Sequence, residues 1–270
     1  MEKYLIKTEG FSIKAEDNIC FIDLSAASSK NAISLLFASL MKDILCINKN
    51  TQKTIFEDFL QEEKVVVVVM RSLLENIFSS GGHLYDLLQA EKQENLTYGD
   101  SVRGFCRLLS SLPIPSVTIL SGNAYGGGVE LALAPDFRWS IGKNIEFHLV
   151  QTKLGVPGGW GGMTRLQELC PALNPKKITS LFLAQNTFKY EDLLRLFLID
   201  KEFEDEKSCY LELFKWRDRL LSCDAKLKED FFERNKIDSN QLEEFDIQFF
   251  QNYFLSENHK KCIQNFLDNR

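Results

Sequence analysis

Ser116-Val117-Thr118-Ile119-Leu120-Ser121-Gly122, then Asn123-Ala124-Tyr125, then Gly126-Gly127-Gly128-Val129-Glu130-Leu131-Ala132-Leu133-Ala134 follow one another without interruption. The first part is β-branched and apolar and is set off by Pro113 and Pro115, so it reads as a buried strand. The last part has helix-forming residues and no breaker before Pro135. Four glycines fall within the seven positions from Gly122 to Gly128. Glycine permits positive φ and lets other groups approach the main chain closely. A strand that enters a glycine turn opening a helix directs free amide hydrogens outward, at the positive end of the helix dipole. Such a turn can receive negative charge developing on a substrate oxygen. Glu130, in the first turn of the helix, places a carboxylate beside that spot. The plainer alternative is a tight turn with an acid that complements the dipole.

Working outward, the same pattern recurs upstream. Ile77-Phe78-Ser79-Ser80-Gly81-Gly82-His83-Leu84 leads into a helix-prone segment from Tyr85 to Lys92. A third glycine cluster runs from Leu154 to Met163. Val65 to Met70 is five valines and a methionine, bulky on both faces as a covered parallel strand requires. Two strands are expected before residue 25, Tyr4–Ile13 and Asn18–Leu24, joined at Lys14 to Asp17. A helix capped by Ser34 carries Leu36, Phe37, Leu40, Met41, Ile44 and Leu45 on one face. Residues 48–64 read as a polar excursion, and a helix through Phe105 and Leu109 ends at Pro113. Strands alternating with helices predict an α/β fold with a largely parallel sheet. After the third glycine cluster no strand is expected. Helices are expected near 178–184, 190–196, 210–221 and 242–266, the last rich in aromatics, suited to capping the domain or to packing on a neighbouring subunit. The domain division expected is a core over residues 1–185 and a helical region over 186–270.

Composition narrows the classes. With 44% hydrophobic and 26% charged residues, 270 residues suit an ordinary globular protein with a real core. A net charge of −6 without a basic run speaks against nucleic-acid binding. No apolar run approaches the ~20 residues that cross a membrane. Seven scattered cysteines, never as Cys-x-x-Cys, suggest free thiols rather than disulfides or zinc. A soluble cytoplasmic protein is expected, with no metal. The glycine turns match neither a dinucleotide fingerprint nor a P-loop, and no G-x-S-x-G elbow occurs. His83 could line the pocket or cap a helix, His148 could be structural, and His259 stands among lysines.

The segment Gly122 to Leu131, with Ala132, Asp136 and Arg138, resembles the signature of the enoyl-CoA hydratase/isomerase (crotonase) superfamily. Lys30-Asn31-Ala32-Ile33-Ser34 resembles its early motif, Phe78 to Leu84 its oxyanion loop, and Lys153 to Leu166 its third signature. Phe266-Leu267-Asp268-Asn269-Arg270 is similar to its C-terminal ending. The resemblance implies a crotonase-like spiral of ββα turns with a C-terminal helical trimerisation region, assembled as a homotrimer or hexamer. It implies acyl thioesters of coenzyme A, or of an acyl-carrier protein, as substrate, with no separate cofactor. Carried over, the amides of Gly82 and Gly127 form the oxyanion hole and Glu130 is the acid/base. His83, Gln151, Gly158 and Trp160 become pocket residues.

The departures bear on the reaction. Gln151 stands where hydratases carry a second glutamate, and an amide cannot exchange protons as a carboxylic acid does. Asn269 replaces the lysine that helps hold coenzyme A phosphates, leaving Lys30, Lys260 and Lys261 as candidates for that contact. One carboxylate suffices for enoyl isomerisation or for protonating the enolate left by decarboxylation of a malonyl-type thioester. The alternatives are a hydratase with a non-standard second acid/base, and a non-catalytic thioester-binding or structural homologue.

Overall fold

The computed structural model describes residues 2–224 and, beyond them, only residues 226, 227, 230, 252, 257 and 261. The chain divides into two compact units, Met1–Leu221 and Ser222–Arg270. Of the helix expected over 242–266 only Asn252, Glu257 and Lys261 are described, each helical, and the Phe266–Arg270 ending lies outside the described residues.

Alternation builds the first sheet. Strands β1 (Lys3–Lys7), β2 (Phe11–Glu16) and β3 (Ile19–Leu24) form an antiparallel meander. Three strands stand where two were expected. Thr8 Oγ1 and the Thr8 amide both bond the Phe11 carbonyl, closing a turn inside the predicted first strand. The second turn is Asp17-Asn18, both at positive φ, a conformation these two residue types tolerate. A 3-10 turn, Ala27–Ser29, leads to α1 (Leu35–Ile44), capped as expected by Ser34, whose Oγ accepts from the Phe37 amide at 3.1 Å. The apolar face of α1 is narrower than expected, because Leu36 is exposed. Residues 48–64 contain a further helix, α2 (Ile55–Glu62), whose Thr54–Glu57 capping box and buried Phe56, Phe59 and Leu60 make it a packed element.

Next come β4 (Val67–Ser72), β5 (Asn76–Ser79), α3 (Leu84–Gln89), α4 (Lys92–Ser111), β6 (Ser116–Leu120), β7 (Gly122–Tyr125), α5 (Gly127–Ala132), β8 (Phe137–Ile141) and β9 (Phe147–His148). The run expected to be one strand from Ser116 to Gly122 therefore breaks at Ser121, and its halves enter different sheets. A 3-10 turn at Gln151–Leu154 precedes α6 (Gly162–Leu169), α7 (Pro175–Leu183), β10 (Thr187–Phe188), α8 (Tyr190–Arg195), β11 (Lys201–Phe203) and α9 (Glu206–Ser222).

The larger sheet has the order β1-β2-β3-β4-β6-β8-β11 and is parallel from β3 onward; the smaller is β10-β9-β7-β5. β10 and β11 correct the expectation that strands stop after the third glycine cluster. They also tie residues 187–203 into both sheets, so the division falls after Leu221 and not after residue 185.

The valine run is buried on both faces, as its bulk predicted. Val67 and Val69, with Ile19, Phe21, Val117 and Ile119, pack on Cys209 and Leu213 of α9. Val68 and Met70 face the main core with Phe37, Phe56 and Phe105. Side chains alternate across a strand, so one sheet serves two cores. Among the described residues, no helix is long and apolar enough to cross a membrane.

Candidate active site

β5 and β7 are parallel neighbours, so the turns leaving their C-terminal ends lie side by side. Ligands in open α/β sheets gather outside such ends. The contact is close: a Cβ on Gly81 would fall 2.7 Å from the Tyr125 carbonyl oxygen and 3.2 Å from the Gly127 nitrogen. The Ile33–Gly82 bridge uses the Gly81 carbonyl and the His83 amide, at 2.8 and 2.9 Å, and so bypasses the Gly82 amide. Gly127 opens α5, where an amide has no acceptor within its helix. Neither the Gly82 nor the Gly127 amide is taken up by another group among the described residues. Both residues line one cavity of about 830 Å³.

Glu130, 3% exposed, lines the same cavity. Its Oε2 accepts from the amides of Trp160 at 2.8 Å and Gly162 at 2.9 Å; its Oε1 accepts from Gln151 Nε2 at 3.3 Å. Bonds to a charged acceptor are worth ~1.5–3 kcal/mol each, so the third glycine cluster both holds and orients this carboxylate. A Cβ on Gly162 would stand 2.4 Å from Glu130 Cγ, so only glycine lets the loop come this close. With Oε2 engaged twice, Oε1 carries only the longer bond from Gln151.

Gln151 is 4% exposed and lines the cavity. The carboxylate of Glu130 requires a donor, which orients the amide with Nε2 toward it and leaves Gln151 Oε1 buried without a partner. Trp160 lays its ring over Gly127, where a Cβ would come within 2.3 Å of the indole. Gly158 adopts φ +95° beside Glu130. Gln151, Gly158 and Trp160 all line the one cavity.

His83 lines the cavity and also caps α3. Its Nδ1 accepts from the Asp86 amide at 3.4 Å, which is the capping contact, and lies 2.7 Å from an Asp86 carboxylate oxygen. The other Asp86 oxygen accepts from the Leu35 amide at 3.1 Å, tying α3 to α1. His148 stands outside the cavity lining. It stacks on Tyr125 with centroids 4.3 Å apart, accepts from or donates to Thr187, and its Nε2 lies 3.2 Å from Glu146 out of hydrogen-bond alignment. Burial pushes the His148 pKa down.

Lys30 is exposed beside Ser28 and Ser29 of the cavity wall but is not itself a lining residue. Lys260 lies outside the described residues. Lys261 is helical and exposed in the second unit. Tyr98, on α4, escaped the sequence reading. It lines the cavity, donates to the Ile33 carbonyl at 3.0 Å and meets the Trp160 ring edge-on. Burial pushes its phenol pKa up, so it stays a neutral donor. It falls at helical spacing with the buried Val102 and Phe105, a pattern that ordinary core residues share.

Paired glycine turns around one buried carboxylate are the arrangement that the sequence resemblance implied. Residues 14–270 match the family described as enoyl-CoA hydratase/isomerase. The chain belongs to that family. Among curated relatives, it is 34% identical over 155 residues to the probable mitochondrial enoyl-CoA hydratase 2 of Arabidopsis thaliana, covering 57% of this chain and 48% of that protein. It is 30% identical over 148 residues to the mitochondrial methylglutaconyl-CoA hydratase of Mus musculus, covering 55% and 43%. These matches thus span about half of each relative's length. Among solved structures, an enoyl-CoA hydratase from Geobacillus kaustophilus HTA426 superposes with a TM-score of 0.78 at 21% identity, covering 100% of this chain and 97% of that one. The fold of this family member is accordingly the crotonase fold.

Proposed function

We propose that this protein acts on acyl thioesters, of coenzyme A or of a carrier protein, by stabilising an enolate and moving one proton through Glu130. The Gly82 and Gly127 amides receive the thioester oxygen as negative charge builds on it. Loss of one such donor typically costs ~3 kcal/mol in the barrier, so a pair supplies the largest catalytic term. Glu130 Oε1 takes or gives the proton at the carbon next to the carbonyl. The single observation that carries this reading is the buried Glu130 with an amide, Gln151, as its side-chain partner. A carboxylate there would serve as the second acid of hydration; Gln151 cannot. Enoyl isomerisation and decarboxylation of a malonyl-type thioester both need one carboxylate only.

Hydration is the second reading. The curated relatives are named hydratases, and the unpartnered Gln151 Oε1 is an acceptor that a water molecule could use. The test is turnover of 3-enoyl, malonyl-type and 2-enoyl thioesters by wild type and Glu130→Gln. Turnover of the first or second class, abolished in the variant, supports the proposal. Turnover of 2-enoyl thioesters alone would replace it with hydration, and binding without turnover of any class would make the protein a non-catalytic binder. We further propose a homotrimer or hexamer, with phosphate contacts supplied by Lys30, Lys260 or Lys261.

A further inference from the structure

The cavity has an open rim and a closed floor. Leu84, Tyr85, Leu154 and Val156 on the rim are exposed, whereas Glu130, Gln151, Trp160 and Tyr98 are buried. A thioester whose carbonyl reaches Gly82 and Gly127 keeps its large headgroup at the rim and turns its acyl chain toward the floor. Tyr98 stands there. Its hydroxyl lies 3.1 Å from where a Cβ on Gly82 would be, and its ring is wedged edge-on against Trp160, centroids 5.9 Å apart.

Behind this side chain lies an open groove of about 590 Å³ between α1 and α4, whose outer lining includes the exposed Lys42, Glu91 and Glu94. Tyr98 lines both the cavity and the groove, and Leu35, Leu36 and Ala38 give the groove an apolar strip along α1. The phenol is anchored by its bond to the Ile33 carbonyl, the group that also accepts from His83 in the bridge beside Gly82. Swinging the ring aside leaves the buried hydroxyl unpaired, so the partition is held shut.

We propose that Tyr98 is the specificity-determining wall that limits acyl-chain length, by separating the catalytic cavity from the α1/α4 groove. The proposal rests on the thioester reading above. Each methylene removed from water tightens binding by about fourfold, so affinity should climb with chain length until the chain meets the ring.

The experiment is calorimetric titration of straight-chain saturated acyl-CoAs, butyryl to dodecanoyl, against wild type, Tyr98→Ala, Tyr98→Phe and Tyr98→Leu. Saturated chains separate binding from turnover. Wild type should reach a limiting length beyond which affinity stops rising. Tyr98→Ala should move that limit to longer chains by several methylenes, Tyr98→Leu should move it by less, and Tyr98→Phe should keep it. Should Tyr98→Ala fail to fold, Tyr98→Leu carries the same reading. An unchanged limit in the smaller variants, or no limit in wild type, overturns the proposal while leaving thioester binding intact. If wild type binds no thioester of any length, the thioester reading itself falls and takes this one with it.

Discussion

The two turns that border the cavity follow the same strand-to-helix path and differ in what surrounds them. The Gly126-Gly127 turn opens α5, in which Gly128, Val129, Glu130, Leu131 and Ala132 are all buried, and the Trp160 indole closes over it. The Gly81-Gly82 turn opens α3, which has no buried residue and exposes Leu84, Tyr85 and Leu88. One turn lies beneath the Trp160 ring on one side and opens on the cavity on the other, with Glu130 on the helix it starts. The other is pinned by a few polar contacts, namely the Ile33 bridge, the Tyr98 hydroxyl and Asp86. Under the proposed reading, close packing around Glu130 and looser packing around the Gly82 turn would suit one chemistry on varied acyl groups.

The sharpest way to break that comparison is at Glu130, the proposed acid/base. Glu130→Gln should lower kcat by roughly 10²–10⁴-fold. The amide oxygen can still accept from Trp160 and Gly162, so the thermal midpoint should move little. A large fall in midpoint with retained turnover would make Glu130 structural.

The turns should next differ in tolerance. Gly127→Ala drives a methyl into the Trp160 ring at 2.3 Å and should cost about 1–3 kcal/mol in urea denaturation. Gly82→Ala meets only the Tyr98 hydroxyl at 3.1 Å and Leu87 at 3.3 Å and should cost ~1 kcal/mol or less. The reverse order would sink the contrast between a rigid and an adaptable turn. Comparable in size, Asp86→Ala removes the contacts to Leu35 and His83. It should cost about 1 kcal/mol and raise amide exchange in α3 but not in α5.

The smallest effect is a pH dependence at His148. Burial lowers its folded pKa below the unfolded value of about 6.5, so the unfolded chain binds more protons in that range. The stability this contributes is present above pH ~6.5 and is lost as pH falls through the folded pKa. His148→Gln should flatten the stability curve below pH ~6.5; an unaltered slope would show that burial of this ring is not felt.

Much of this site was legible because its signals are local. A strand entering glycines and a helix, twice over, marks the two turns and Glu130 without any tertiary knowledge, the family resemblance singles out Gly82 and Gly127 within them, and the valine run announces a sheet covered on both faces. The errors lie where tertiary contacts decide. Nothing in the β-branched run from Ser116 shows that Ser121 sends its two halves to different sheets. β10 and β11 are two and three residues long, too short to carry a period, and exist because β9 and β8 offer edges. Tyr98 shares its helical stripe with ordinary core residues; only the fold brings its ring between Gly82 and Trp160.

The central claim is that a proton moves through Glu130 while Gly82 and Gly127 hold the thioester oxygen. Its most direct measurement is proton NMR of a saturated acyl-CoA incubated with the protein in deuterium oxide. The account predicts exchange at the carbon next to the carbonyl with wild type and none above background with Glu130→Gln. Equal exchange with both proteins would contradict it.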